Sequence, residues 1–330
     1  MIILVFLVTF KLLFLAFPAV VLSAAREGLL LWFHNIIPAL LPFMVVSNML
    51  TTLGFAHFLG KRLAPVMEKI FGVPGAGGLA LIVGLTSGYP IGAKTVADLH
   101  KTGEISNRQA QHLLAFCNNA GPLFILGVVG AGFFQNIAVG YILLAGHMLS
   151  AMTTGVALRP FFCRGKSGAK NIRDTAYSAH QPSSGPGSFF VPMTGLPQRS
   201  VDSALGSAVK NAMESITVIG GLVIFFNTVP AVLTEIGFPD SGIAAGLVTA
   251  AIEVTNGLHI LSRQGATYPT LALAAFAIAF GGFSIHAQTL HFTEGTKIKP
   301  TLYILSKLLH GALAAVFTIF ICLIADFAVK

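Results

Sequence analysis

The chain has 330 residues, of which 55% are hydrophobic and 10% charged, with a mean hydropathy of +0.81. That is too little polar surface to coat a soluble globule of this length, so lipid must solvate much of the exterior. The 20 basic and 12 acidic residues give a formal charge of +8, which in a membrane protein reports cytoplasmic loops, and no basic stripe with interleaved aromatics points to nucleic acid.

In chain order, Met1 to Leu22 is apolar except for Lys11 and Pro18. It is long enough to span a bilayer and has no Lys or Arg before Lys11, so it reads as a retained transmembrane helix rather than a cleaved signal. Further spans are expected over residues 28–50, 77–93, 119–135, 137–158, 208–234, 242–262, 267–283 and 301–326. Ala56 to Phe71 carries Lys61, Arg62, Glu68 and Lys69 among apolar residues and suits a helix in the interface. Ile105 to Phe116 predicts a helix opened by a capping box, Ser106 with Gln109. From Arg159 to Arg199 the chain turns basic and rich in Gly, Pro and Ser, the mark of a cytoplasmic linker that cannot bury enough apolar surface to order itself; a binding arm for a partner or anionic lipid is the other reading. Cys117, Cys163 and Cys322 show neither metal-ligand spacing nor a disulfide framework and read as free thiols.

The apolar runs are interrupted at two pairs of places, related by one shift of about 162 residues. Gly88 to Lys94 (GYPIGAK) falls on Ala250 to Asn256 (AAIEVTN), and Asn118 to Pro122 (NNAGP) falls on Phe280 to Ser284 (FGGFS). Tyr141-Ile142-Leu143 falls on Tyr303-Ile304-Leu305, Trp32 to Leu50 has an approximate counterpart in Lys210 to Val229, and His147 lies one residue from a match to His310. The expected fold is therefore all-α: a polytopic transmembrane helical protein of two related repeats, inverted if each crosses the membrane an odd number of times, with broken or re-entrant helices. Its divisions are an N-terminal helix (1–25), a first repeat (26–158), the linker (159–204) and a second repeat (205–330). Paired breaks of this kind point to a transporter's substrate site, because freed backbone groups are tolerated at membrane depth only where they face protein or a cavity.

The residues at the breaks suit a small anion. Half-helix N-termini at Gly88 would carry partial positive charge and unpaired N–H groups, with Thr86 and Ser87 adding hydroxyls; the competing reading is a kinked, closely packed helix. Lys94 either attracts a substrate carboxylate or pairs with Asp98 four residues on. Asn118 and Asn119 offer amide donors and acceptors to a planar substrate, or cap helix ends. Glu253, with Thr255 and Asn256 beside it, is an intramembrane carboxylate that could carry a proton or ligate a cation, lowering the charge moved with an anion; otherwise it is simply neutralised. Ser284, His286 and Gln288 follow the facing break, His286 as a titrating group or a packing histidine.

GLTSGYPIGAKTVADLHKTGEIS followed by LLAFCNNAGPLFILGVVGAGFF resembles the YlbJ-type sporulation integral membrane proteins, or stage V sporulation protein VV, of the Gate or nucleoside-recognition superfamily. AAIEVTNG and AFGGFSIHAQ are similar to the same family, and the resemblance covers most of residues 25–326. It implies a transporter in the outer forespore membrane of a spore-forming bacterium, with dipicolinate as the substrate class and nucleosides as substrates of more distant relatives. Other sporulation membrane proteins, or further copies of the chain, are the implied protein partners, and no cofactor is implied.

No nucleophile elbow, zincin motif, Walker A sequence or dinucleotide fingerprint is present, and the ten histidines form no ligand cluster in sequence. An enzyme and a primary pump are therefore not expected. A non-transporting assembly factor is the alternative from another class. A transport site requires Asn118, Asn119 and Glu253 to converge on one cavity; an assembly factor would bury or scatter them.

Overall fold

The computed structural model describes residues 2–52, 55–162 and 201–325, which form helices and turns without a strand. The expected linker lies between 163 and 200 outside the described residues; its two ends, 159–162 and 201–204, are helical.

The first helix, α1 (Ile2–Ala16), and the second, α2 (Pro18–Leu31), meet at a bend of 100°. Residues 1–22 are thus not the single span expected, because Pro18 has no N–H to continue the α1 ladder and instead opens α2 at its first position. α2 passes through a π-wound turn, Trp32–Ile36, into α3 (Ile37–Thr52). Along this unit lies α9 (Val201–Glu235), whose direction is fixed by three hydrogen bonds. Asn227 Nδ2 donates to the Ala24 carbonyl at 2.7 Å, Trp32 Nε1 to Ile216 at 2.9 Å and Asn48 Nδ2 to Ala208 at 3.1 Å. One set of numbers rises as the other falls, so the two units run antiparallel.

α4 (Phe55–Val66) and a π turn, Met67–Phe71, follow, covering the segment expected to lie in the interface. Arg159 donates to the Lys69 and Ile70 carbonyls at the end of that turn, where unpaired carbonyls favour a cation. Next come α5 (Gly77–Thr86), α6 (Ile91–Lys101), α7 (Asn107–Cys117), a π-helix (Phe124–Phe133) and α8 (Ile137–Phe162). The capping box that opens α7 is formed, Ser106 accepting from the Gln109 N–H and Gln109 from the Ser106 N–H. After α9 the series is α10 (Gly242–Ile252), α11 (Val254–Ser262), α12 (Tyr268–Phe280), α13 (Gly282–Phe292) and α14 (Pro300–Ile324).

Among the described residues four helical stretches are long and apolar enough to cross a membrane: 137–162, 205–235, 268–292 and 300–324, with the bent pair at the N-terminus as a fifth. The spans expected over 77–93 and 242–262 are each split in two at a break, and that over 119–135 shrinks to the π-helix. A polytopic helical membrane protein is what remains, with short broken elements between long ones.

The element order α5, α6, α7, π-helix, α8 recurs as α10, α11, α12, α13, α14. The contacts are reciprocal as well: α6 packs on α13 while α11 packs on the π-helix, α7 packs on α14 while α12 packs on α8, and α8 and α14 pack on each other. A two-fold relation produces such a pattern, since a contact of one element with its neighbour's counterpart is matched by the converse. Between helices in lipid the gain comes from close packing, which favours small residues. α12 supplies them: Ala274, Ala275, Ala277 and Ala279 are all buried, and α12 and α14 pack on each other, Gly311 of α14 lying against Phe276.

Candidate functional site

Each half contributes two chain breaks, and the two breaks of a half touch. In the first, α5 gives way to Ser87-Gly88-Tyr89-Pro90, and the Tyr89 N–H donates to the Asn119 carbonyl of the second break, residues 118–122. Gly88 has φ +83°, and a Cβ there would overlap the Gly121 backbone. In the other half, Glu253 alone separates α10 from α11, in extended conformation (φ −137°, ψ 113°). Gly281 (φ +89°) and Gly282 (φ +73°) separate α12 from α13, and a Cβ at Gly282 would meet the Ala250 carbonyl oxygen at 2.6 Å. Glycine is required at these contacts on two counts, left-handed backbone and lack of room.

This geometry predicts that Gly88→Ala sharply lowers the yield of monodisperse protein on size exclusion. The αL conformation alone costs a side chain about 1–2 kcal/mol, and the overlap with Gly121 adds to it. Gly103→Ala is the control, with φ +80° and nothing within 4 Å of the added carbon. It should show only the conformational part; equal losses in the two variants would show that the contact between the breaks contributes nothing.

Three of the breaks, and the first turns of α13 after the fourth, border one cavity of about 430 Å³. Ser87, Tyr89 and Pro90 come from the first break, Gly121 from the second, Glu253 with Thr255 from the third, and Ser284 with Gln288 from the turn after the fourth. α2–α3 and α9 close the remaining wall through residues such as Leu31, Phe43 and Ile219. Among the described residues Lys and Arg are absent from the lining, Glu253 carries its single carboxylate, and His34 and Tyr89 are its other titratable groups.

The N-terminal ends of α6, the π-helix, α11 and α13 therefore abut one space. Those of α6, the π-helix and α13 have no side-chain cap, whereas that of α11 is capped by Glu253, whose Oε2 accepts from the Asn256 N–H at 2.8 Å. A carboxylate of the protein itself thus occupies one of four helix starts at the cavity, whereas at α6 the Ile91 and Gly92 N–H groups donate to the Gly88 carbonyl and at the π-helix the Ile125 N–H donates to that of Gly121. The polar wall is completed by Ser284, whose Oγ accepts from Gln288 Nε2 at 3.3 Å, and by the Tyr89 hydroxyl, which is buried without a hydrogen-bond partner.

Of the residues expected at a site, the structure brings Thr86, Ser87, Glu253, Thr255 and Ser284 to the cavity. The Thr86 hydroxyl donates back to the Ile82 carbonyl at 2.8 Å. Gly88 shapes the first break without lining the space, because its Cα faces Gly121. Lys94 lies elsewhere: Nζ sits 3.0 Å from Asp98 Oδ2 and 3.1 Å from Asn48 Oδ1, tying α6 to α3. The spacing of four that offered an ion pair as the alternative reading is the one realised.

Asn118 and Asn119 are fully buried and do not line the cavity. Asn119 Nδ2 donates to the Phe116 carbonyl at 2.7 Å, capping the end of α7. Asn118 points to α13 and α14, donating to Thr289 Oγ1 at 2.9 Å and to the Tyr303 hydroxyl at 2.7 Å. Asn256 is turned outward to Asn227 of α9, so it bridges helices. His286 is enclosed by Phe280 and Tyr303, with ring centroids 4.6 and 5.3 Å away, and neither ring nitrogen has a partner. Of the three residues expected to converge, Glu253 alone reaches the cavity; burial of Asn118 and Asn119 in helix contacts is the outcome expected of an assembly factor, so a transport site has to rest on the other residues of the breaks that line the space.

Placement in an ion pair predicts that Lys94→Gln lowers thermal stability by no more than about 1 kcal/mol, the usual range for a partly exposed pair. Transport per molecule should be unchanged for charged and neutral solutes alike. A selective loss with dicarboxylates would instead give Lys94 a role in drawing substrate.

Several residues escaped the sequence reading. Tyr89 sits inside GYPIGAK and carried a usable signal, a phenol within a break; His34 and Phe124 carried none. Lys307 carried the same signal as Glu253, a charge inside an apolar span. It is 1% exposed, and its Nζ reaches the Asn118 carbonyl and His310 Nδ1, each at 2.8 Å.

Residues 33–136 match the Gate family, described as nucleoside recognition. Over 91% of its length the chain is 29% identical to the sporulation integral membrane protein YlbJ of Bacillus subtilis (strain 168), covering 77% of that relative. The likeness read from the GYPIGAK and NNAGPLF segments therefore extends along nearly the whole chain. No solved structure matches it.

Proposed function

We propose that this integral membrane protein, Gate-like in its first half and similar over most of its length to a sporulation protein, moves a small organic anion through the cavity bordered by its helix breaks. That convergence carries the reading: breaks separated by up to some two hundred residues in sequence border one space of about 430 Å³, within the range of about 300–1,000 Å³ usual for small-molecule sites. The two-fold contact pattern and the antiparallel run of α2–α3 against α9 support two inverted repeats that could rock about this point.

The substrate favoured is dipicolinate, exported from the mother cell across the outer forespore membrane. Its flat ring suits the Tyr89, Phe124 and Phe43 surfaces, and its carboxylates suit the uncapped helix starts with Ser87 and Thr255. With neither Lys nor Arg among the described lining residues, the negative charge of Glu253 is to be offset by a proton or cation when a dianion enters. A nucleoside is the second reading, supported by the same lack of cations and by Glu253, Ser284 and Gln288, which match sugar hydroxyls and base edges.

Uptake and efflux by proteoliposomes decides between them, with dipicolinate and a set of nucleosides compared in one preparation. Dipicolinate movement above protein-free vesicles is the expected result. Nucleoside movement alone would transfer the site to the second reading, and movement of neither would favour an assembly role.

A further inference from the structure

We propose that Lys307 and His310, flanked by His147, form a proton-binding site between α8 and α14, mechanically joined to the cavity through the break at residues 118–122. The inference rests on the transport reading only in what the proton would be used for; the site itself stands on its geometry.

Lys307 is buried and makes no ion pair with a carboxylate among the described residues. A permanent ammonium in such a place is costly, while an amine beside an exchange partner is not. His310 Nδ1, 2.8 Å from Nζ, is that partner, and a proton can lie on either side of the bond. If it lies on Lys307, Nδ1 accepts; if it lies on Nδ1, the amine accepts. His310 Nε2 faces the His147 carbonyl at 3.4 Å, and the two rings are 4.9 Å apart. His147 itself is excluded as the carrier in this conformation, because its Nε2 accepts the Ala120 N–H at 3.1 Å and so must be unprotonated. Its proton then sits on Nδ1, which has no acceptor.

Other titratable groups facing the pair are Cys117 at the end of α7, His286 on α13 and Tyr303 on α14 itself. None of them is an acid ionised at neutral pH under ordinary conditions, so among the described residues nothing fixes the Lys307 charge as an Asp or Glu would. The Asn118 carbonyl at the C-terminal end of α7 attracts the cation, and that carbonyl belongs to the break.

The link to the cavity is short. Asn118 accepts from Lys307, Ala120 donates to His147, and Gly121 lines the cavity, all within four residues of one break. On α13, Gln288 lines the cavity and its neighbour Thr289 accepts from Asn118. A ligand that moves this break changes the acceptors of Lys307, and protonation at Lys307 biases the position of the break, by reciprocity of linked binding.

The test uses the full chain in lipid nanodiscs, labelled with ¹⁵N-lysine, with the Lys307 signal assigned by its loss in Lys307→Arg. Without any substrate present, the Lys307 nitrogen should pass between ammonium and amine within the pH range the nanodiscs tolerate, and His310→Gln should displace its midpoint by about one pH unit, a tenfold change in proton affinity. Should Lys307→Arg fail to assemble, Lys307→Met supplies the assignment, and the His310→Gln shift reads the pair without altering the lysine. A nitrogen that remains an ammonium throughout the range would make Lys307 a fixed cap of α7 and overturn the proposal, as would a midpoint indifferent to His310→Gln. Absence of dipicolinate or nucleoside transport in wild-type vesicles would sink the transport reading and leave this titration standing.

Discussion

Gly127→Trp should abolish solute movement while leaving the protein folded. Gly127 lies on the π-helix at the cavity wall, and a carbon added there meets only Leu123 Cδ1, at 3.7 Å. No backbone gives way, in contrast to Gly88, so the cost of the substitution falls on the cavity and not on the fold. An indole is among the largest side chains available, and directed into a space of about 430 Å³ it excludes a ring-sized solute. Transport should fall at least about tenfold, equivalent to some 1.4 kcal/mol in binding or barrier, at unchanged abundance. Gly127→Ala, which fills little, should transport like the wild type. If the Trp variant moves dipicolinate or nucleosides normally, the cavity is not on the path and the proposed function fails.

The parts legible in the sequence were those written in backbone chemistry. Pro90, Pro122 and the glycines at 88, 121, 281 and 282 announce interruptions whatever surrounds them, and the common shift announces that the interruptions correspond. Hence the breaks, their pairing and the polar character of Ser87, Glu253 and Ser284 could be read directly. Direction of side chains could not. Asn118 and Asn119 are adjacent at a break, yet one faces α13 and α14 while the other turns back on α7, because the chain leaves α7 at φ −98°, ψ 86° and not in a helical register. Lys94 offered two partners in sequence, and only the position of Asn48, 46 residues earlier, shows why the pair with Asp98 holds it.

Distant walls were equally hidden. The cavity is closed by α2–α3 and α9, and nothing local to Leu31 or Ile219 marks them as lining. Pro18 was visible, but its consequence, a turn of 100°, depends on α2 being held along α9 by Asn227 and Trp32. Lys307 was masked by its own surroundings, one charge in an apolar run that reads as a span. Its meaning emerged only when the carbonyl of Asn118 and the ring of His310 were placed beside it.

The second large effect is expected from Glu253→Gln, which separates charge from shape at the cavity. Glu253 is 4% exposed and its Oε2 caps α11 through the Asn256 N–H at 2.8 Å. Glutamine keeps an acceptor oxygen there, so the cap and the fold should survive. What disappears is a negative charge in the wall. Two carboxylates about 4 Å apart repel by about 4 kcal/mol at an effective dielectric of about 20, so a dianion enters readily only when Glu253 has taken up a proton or a cation. On the proposed transport function, that obligation would be the coupling. In the glutamine variant dipicolinate binding should lose the cation dependence and the part of the pH dependence that Glu253 contributes, keeping only what Lys307 imposes through residues 118–122, and should be at least about tenfold tighter than the wild type under conditions that leave Glu253 ionised and free of cation. Accumulation against a gradient should collapse, since no co-ion need travel, while equilibrium exchange continues. A neutral nucleoside should show neither change, and the titration of Lys307 should be the same as in the wild type. Dipicolinate binding that keeps its full ion dependence in Glu253→Gln would reduce Glu253 to a helix cap and move the coupling to another group.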